Sequence, residues 1–324
     1  MGQPPNPVSQ LQQVLNPLQA PGTNRRNYLV NGGFEIWQRG TGPFVTNGAY
    51  WADRWRADIG INTVTGIDLH RMASTISLGA GSGWAASIGV NLGAGAMMRV
   101  GQQIMPGDTL DQLRGRVMTF SARVLPNTLN SIRPVVVGGV MGSTTNPFNT
   151  TNVAQTMWCT FTVPSNETSL YVGFEMANAS SVSQVDEAML VIGAVPADYF
   201  PEHPADEILR CQRYLYRESG AGGALHQPWV GFSQSLTSAF YPVRYPVVMP
   251  VTPTLTFSAI ADWNVTNEQL SGTTPANLIQ VNNGNNAHGL LQVGTAGNNG
   301  TTVGAPRGLS AANNNAWIQW EANP

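Results

Sequence analysis

The sequence predicts an all-β protein: an antiparallel jelly-roll sandwich, followed by one short helix and a second, smaller β domain. Three observations predict it. Between Tyr28 and Phe200, short runs rich in Val, Thr and aromatics alternate with period two and are separated by Gly, Pro and Asn clusters. Helical periodicity takes over once, in "HPADEILRCQRYLYRESG" (203–220), and strand grammar then resumes to the C-terminus. Strands at this density with no helices between them describe an antiparallel sandwich, and roughly 170 residues suit one jelly roll.

The first 27 residues are rich in Pro, Gln and Asn. Val8, Leu11, Leu15 and Leu18 fall at the seam spacing of a short coiled coil. Pro7 suits the start of such a helix, whereas Pro17 spoils its end. A helix this short is marginal alone in water. Residues 1–27 therefore read either as a disordered arm or as a segment that orders against copies of itself or a larger particle.

Residues 28–200 carry the sandwich. "TVTGIDLHRM", "RVMTFSARVL", "IRPVVVGGVM", "QTMWCTFTVP" and "SLYVGFEMA" are its clearest strands. In the second, Met118, Phe120, Ala122 and Val124 face one way while Thr119, Ser121 and Arg123 face the other. "NYLVNGGFEIWQRG" (27–40) reads as a strand, a tight turn and a second strand carrying Glu35 and Trp37. A linker helix is expected over 201–219. Pro204 precedes it, Asp206 and Glu207 sit at its positive end, Arg213 and Arg217 near the other, and Gly220 closes it. Ile208, Cys211 and Leu215 form one stripe, fit for a strut or for an axis where identical chains meet. Residues 220–324 form the second β domain, with prolines that mark edges or bulges and long Asn/Gly loops.

Composition narrows the function. The 324 residues are enough for two domains. Charged residues make up only 10%, against about 25% in an average soluble protein. All 16 basic residues are arginine. A net charge of −2 with scattered arginines argues against nucleic acid, which needs a basic stripe to replace counterions. Cys159 and Cys211 are too few for a disulfide framework or metal cluster, and Cys159 lies in a strand pattern as a buried thiol. "MGQPPNPVSQ" shows no secretory signal and fails the myristoylation pattern. No apolar stretch approaches the ~18 residues of a membrane span.

Candidate chemistry is sparse. Glu35, Asp53, Asp58, Asp186 and Glu187 are the acids available to a glycosidase, and no spacing pairs two of them. A G-x-S-x-G elbow is absent, and histidines 70, 203, 226 and 288 stand far apart without metal-ligand spacing. No Gly-rich phosphate loop precedes a helix. An enzyme is not expected. Aromatics are more informative, because flat rings stack on sugars while neighbouring Asn, Gln, Asp and Arg bind hydroxyls. Trp37 and Trp55, inside strand-like runs, read as core. Trp229, Trp263, Trp317 and Trp320 lie near Asn/Gly loops and are the candidate glycan contacts.

"NYLVNGGFEIWQRGTGPF…YWADRWRADIG" resembles the opening of jelly-roll modules in tail-fibre-type proteins of tailed bacteriophages. Those modules often read Asn-Gly-x-Phe-x-x-Trp-Gln-Arg-Gly, then Thr/Trp-Ala-Asp-Arg-Trp. "QVDEAMLVIGAVPADYFPEHPADEILRCQRYLYRES" is similar to their final strand, acidic turn and "CQRYYY" helix, and "FYPVRYPVVMPVTPTLTFS" to the segment after it. The resemblance covers about residues 27–324. It implies a virion protein, a fibre or spike that attaches to host surface polysaccharide, held to other virion proteins by its N-terminal arm and homotrimeric. Two rivals stand beside it: an architectural head-fibre, decoration or tail-adaptor protein without glycan affinity, and a capsule depolymerase. The sandwich also resembles the carbohydrate-binding-module type of jelly roll. In that wider family a glutamate of the opening motif and an aspartate of the closing strand help hold a structural calcium, and these correspond to Glu35 and Asp186. No other cofactor is implied.

Overall fold

The computed structural model describes residues 26–323 apart from 47, 62–63, 78–82, 94–95, 142–147, 178–179, 220–227, 268–272 and 298–301. Val8, Leu11, Leu15, Leu18 and His226 lie outside the described residues, as does nearly all of the expected arm. The chain forms two compact units, the first ending at Glu207 and the second covering Ile208–Asn323. Among the described residues no helix is long and apolar enough to cross a membrane.

The first unit is the expected antiparallel sandwich. Its strands are β1 (Arg56–Ile61), β2 (Val64–Ala73), β3 (Trp84–Leu92), β4 (Met97–Ile104), β5 (Val117–Pro126), β6 (Ile132–Val137), β7 (Val140–Met141), β8 (Gln155–Thr162), β9 (Leu170–Ala177) and β10 (Ser180–Ile192). They make a four-stranded sheet, β1-β4-β9-β6, and a six-stranded sheet, β2-β3-β10-β5-β8-β7. A short helix, α1 (Leu110–Leu113), precedes β5 and buries both of its leucines. Met118, Phe120, Ala122 and Val124 are buried as the alternation requires. The opposite side of β5 is covered too: the Thr119 hydroxyl donates to Gly193 O and the Arg123 Nε to Ile76 O.

Aromatic rings fill the sandwich. Phe34 packs on Trp51 and Trp55 at 5.9 and 4.5 Å, Trp55 on Phe174 at 6.4 Å, and Phe174 on Phe120 at 5.2 Å. Trp37 and Trp55 are core, as the sequence suggests. Each such ring removes roughly 150–250 Å² from water. At about 25 cal/mol/Å² that is on the order of 4–6 kcal/mol of transfer energy per ring.

The opening stretch is not a strand pair. Residues 27–40 run as turns whose backbone groups are satisfied by side-chain amides. Asn27 Nδ2 donates to Ala188 O (2.9 Å), and Asn27 Oδ1 accepts from Leu29 N and Leu190 N. Asn31, at φ 57°, bridges the turn: its Oδ1 accepts from Ile36 N and its Nδ2 donates to Ile36 O. Asp53 accepts from Gln38 N, and Arg54 donates to Gln103 O. The conspicuous residues of both opening motifs therefore hold a corner together, with the closing strand β10 beside the opening segment as expected.

Helix α2 (Pro204–Gln212) stops about two turns short of Gly220. Residues Leu215–Ser219 form β11 instead, paired with β19 (Trp317–Glu321). Tyr216 stands opposite Trp320 and stacks on it at 5.6 Å, and the Arg217 guanidinium lies 4.4 Å from the Trp317 ring. Cross-strand pairing of these rings outweighs the helical pattern of the segment. Of the stripe read as an oligomer axis, Cys211 and Leu215 are buried in the folded chain and Ile208 is half-buried.

The second unit continues with β12 (Trp229–Ser235), β13 (Ser238–Arg244), β14 (Thr254–Phe257), β15 (Trp263–Thr266), β16 (Thr273–Gly284), β17 (His288–Thr295) and β18 (Pro306–Ala311). Six strands close a barrel in the order β12-β13-β17-β16-β15-β18, and β11-β19-β14 form a three-stranded sheet. One cluster, including Trp229, Tyr241, Trp263, Ile318 and Trp320, serves as its core.

Candidate functional site

The outer face of the four-stranded sheet gathers the chemistry of the first unit. Register puts Asp58, Arg99, Glu175 and Arg133 in one row across all four strands. Arg99 Nε donates to Glu175 Oε2 (3.1 Å) and Arg133 Nε to Glu175 Oε1 (2.9 Å). The Glu175 side chain is only 2% exposed, while the Arg99 and Arg133 side chains are 35% and 22% exposed. Both carboxylate oxygens are thus committed.

The next row reads Arg56, Gly101, Gly173 and Val135. Two strand-interior glycines side by side make room for something. A Cβ on Gly101 would sit 2.8 Å from Tyr171 Cζ, so the Tyr171 ring lies across Gly101, partly exposed. Its hydroxyl is buried with no hydrogen-bond partner among the described residues. Burial, and then the Asp58 carboxylate, holds the phenol well above its ordinary pKa, with Arg99, Arg56 and Tyr50 also close enough to act on it. Arg56 pairs with Asp58 at 2.9 Å, and the Tyr50 ring is approached by Arg39 and Arg56 at 5.4 and 6.0 Å. Phe148 lies 4.5 Å from the Arg133 guanidinium.

This face interleaves flat rings with guanidinium, carboxylate and amide groups. Such a surface suits sugars: rings cover the C–H faces of a pyranose, and charged or amide groups hydrogen-bond hydroxyls. Of its two carboxylates, Glu175 is held between Arg99 and Arg133 and Asp58 is paired with Arg56. The sequence did carry a signal for it: Arg99-x-Gly101-x-Gln103 and Tyr171-x-Gly173-x-Glu175 alternate on one face of their strands.

The corner holding Glu35 is a second cluster. Asp186 Oδ2 accepts from Ser74 Oγ (2.5 Å), its Oδ1 accepts from Glu187 N, and Glu187 accepts from Ser77 Oγ (2.8 Å). Burial pushes Asp186 up to about 7, against the pull of those hydrogen bonds and with the charges of Glu187 and Glu35 adding to it. Tyr199 is also raised, by burial and then by Glu207, Glu35, Asp186 and Glu187. Four carboxylates therefore share one neighbourhood. Among the described residues, no three His, Cys, Asp or Glu side chains converge as metal ligands. A hard cation between Glu35 and Asp186 thus fits only with backbone carbonyls completing its shell.

The remaining expected site residues fare differently. Trp263 and Trp320 are at most 1% exposed and Trp229 is 8% exposed, so none has a face to offer a sugar. Each is part of the core of the second unit, Trp229 and Trp263 from strands of the barrel and Trp320 from the three-stranded sheet. Trp317 is half-buried beneath Arg217. His70 pairs with Asp68 (2.9 Å), and His203 Nδ1 accepts from Ala205 N at the start of α2. Cys159 and Cys211 are buried and not joined in a disulfide.

The sequence matches no protein-family model and no curated protein. Solved structures show low-level similarity. The enzymatically active domain of tailspike protein 4 of bacteriophage CBA120 is 10% identical with a TM-score of 0.36, over 52% of this chain and 21% of that one. This chain thus spans about a fifth of that tailspike chain. A putative sugar-binding protein from Bacteroides thetaiotaomicron is 11% identical with a TM-score of 0.36, over 52% of this chain and all of that one. A xylan-binding domain from Paenibacillus barcinonensis is 13% identical with a TM-score of 0.32, over 55% and 99%. The assignment of an antiparallel jelly-roll sandwich rests on the strand pairing itself.

Proposed function

We propose that this chain is an adhesive structural protein of a phage-type virion, a fibre or spike, which binds bacterial surface polysaccharide through the outer face of its four-stranded sheet. The observation that carries the reading is the Tyr171 ring laid across Gly101, beside the row of Asp58, Arg99, Glu175 and Arg133. The flanking motifs that resemble phage tail-fibre modules supply the virion context. Several copies on one particle, as a homotrimer or an array, convert weak sugar contacts into avidity without a deep pocket.

Tyr171→Ala removes the platform from a partly exposed position. The variant is expected to bind capsular polysaccharide of the host at least tenfold more weakly in a surface-immobilised titration, with a melting temperature within a few degrees of the parent. Equal binding by the two proteins sinks the sheet-face reading. Negligible binding by the parent itself favours the architectural role, and release of reducing ends favours the depolymerase.

A structural calcium between Glu35 and Asp186 belongs to the same proposal. Calcium at 100 times its Kd stabilises by about 2.7 kcal/mol, roughly 5–10 °C in Tm for a unit of this size. Chelator is expected to reverse the shift and Glu35→Gln to abolish it. A Tm that ignores millimolar calcium removes the ion from the picture.

A further inference from the structure

We infer that the cleft at the tip of the β16–β17 hairpin is a second binding site, built for a saccharide that carries an oxyanion, carboxylate or phosphate. It lies wholly in the second unit and does not rest on the sheet-face reading. The cleft has a volume of about 590 Å³, within the range of small-molecule sites and roomy enough for one or two sugar rings.

Its walls are held firmly. The hairpin closes with Asn285 N donating to His288 O (2.9 Å), while Asn285 Oδ1 accepts from Ala287 N and His288 N. The tip is tied to the segment after β13 by Tyr245 N to Ala287 O and Met249 N to Asn286 O (2.7 Å). Gly289 permits a close approach from beneath, since a Cβ there would sit 2.8 Å from the Tyr245 hydroxyl. A cleft fixed on both sides loses little entropy when it takes up a ligand.

The lining has a definite chemistry. Arg244 on β13 stands directly opposite His288 on β17, and both line the cleft with the Asn283 amide. Pro242 and Leu290, the next facing pair on this side, add apolar surface. Arg244 is exposed, and its guanidinium makes no ion pair or hydrogen bond among the described residues. The described acids of the second unit are engaged elsewhere: Glu218 by Tyr216, Asp262 by Asn313, and Glu321 by Gln319 and Asn323. In a protein with so few charges, this cation stands in a shaped cleft without an internal counter-charge. Its planar fork matches a carboxylate or phosphate, which a neutral sugar does not offer. His288 and Asn283 supply hydrogen bonds to hydroxyls, and the apolar pair covers a C–H face.

Calorimetric titration of the full chain with three ligands tests the site: oligogalacturonate, its fully methyl-esterified form, and a phosphorylated oligosaccharide. At least one anionic ligand is expected to bind tenfold or more tightly than the methyl ester, the arm that binds naming the oxyanion. Arg244→Gln is expected to level the three affinities at unchanged melting temperature, and Arg244→Lys to retain part of the preference. Tyr171→Ala, in the other unit, is expected to leave the preference intact, which separates this site from the sheet face. The inference is overturned if neither anionic ligand outbinds the methyl ester, or if the preference survives in Arg244→Gln.

Discussion

Gly32→Ala is expected to destabilise the first unit by about 3–5 kcal/mol, among the larger effects of a single substitution. The new Cβ would fall far inside van der Waals contact with Ala188 O and 2.8 Å from Asn27 Nδ2. Neither neighbour is free to retreat. Ala188 N donates to Gly32 O (2.9 Å) and Ala188 O accepts from Asn27 Nδ2 (2.9 Å), so the opening turn and the closing strand are latched together here. For a unit of this size the loss corresponds to roughly 6–20 °C in Tm. Gly83, with open space where a Cβ would go, is the control and is expected to accept alanine within about 0.5 kcal/mol. Calorimetric melting of the two variants decides the matter: similar transitions would mean that the corner yields more easily than its geometry implies.

The second large effect concerns Asp186 and pH. Its carboxyl is held at about 7 in the fold against 3.8 as the ordinary value, because burial disfavours the charged form. A group raised by folding binds its proton more tightly in the native state. Its stabilising contribution is therefore present in full below about pH 4, and is lost as pH rises through about 7. A displacement of about three units costs on the order of 4 kcal/mol at and above neutral pH. Asp186→Asn keeps hydrogen-bonding capacity toward Ser74 and Glu187 N without the charge. In chelator, the difference in unfolding free energy between variant and parent is expected to grow in the variant's favour from pH 4.5 to 8. Urea titrations across that range give the difference directly, and curves that run parallel would falsify the assignment. Calcium, by favouring the ionised carboxylate, is expected to narrow the gap at pH 7.

Much of the first unit was legible because a two-residue period leaves its mark locally. Met118, Phe120, Ala122 and Val124 had to share a face wherever their strand was placed. Trp37 and Trp55 belonged inside because large rings in strand-like runs have few other places to go. The opening segment was misread as strands because its hydrogen bonds run to the amides of Asn27 and Asn31, which no periodicity records. Helix α2 was misjudged at one end for a related reason. Residues 213–219 keep helical spacing, yet Tyr216 gains more by stacking on Trp320, about a hundred residues away in sequence.

The candidate sites show the same division. Asp58, Arg99, Glu175 and Arg133 come from four strands, and only register makes them a row. Arg244 and His288 were unremarkable until β13 and β17 paired. Trp263 and Trp320 looked available beside Asn/Gly loops until long-range strand pairing buried them. The sequence by itself determined an all-β chain with a sandwich first, a single helical break and a second β unit, because alternation, turn residues and low charge act over a few neighbours. Which side chains meet, which rings are hidden and where a cleft opens were decided only by strand order and register. Those are properties of long-range pairing, and a shift of one residue would have turned every one of these side chains to the other face.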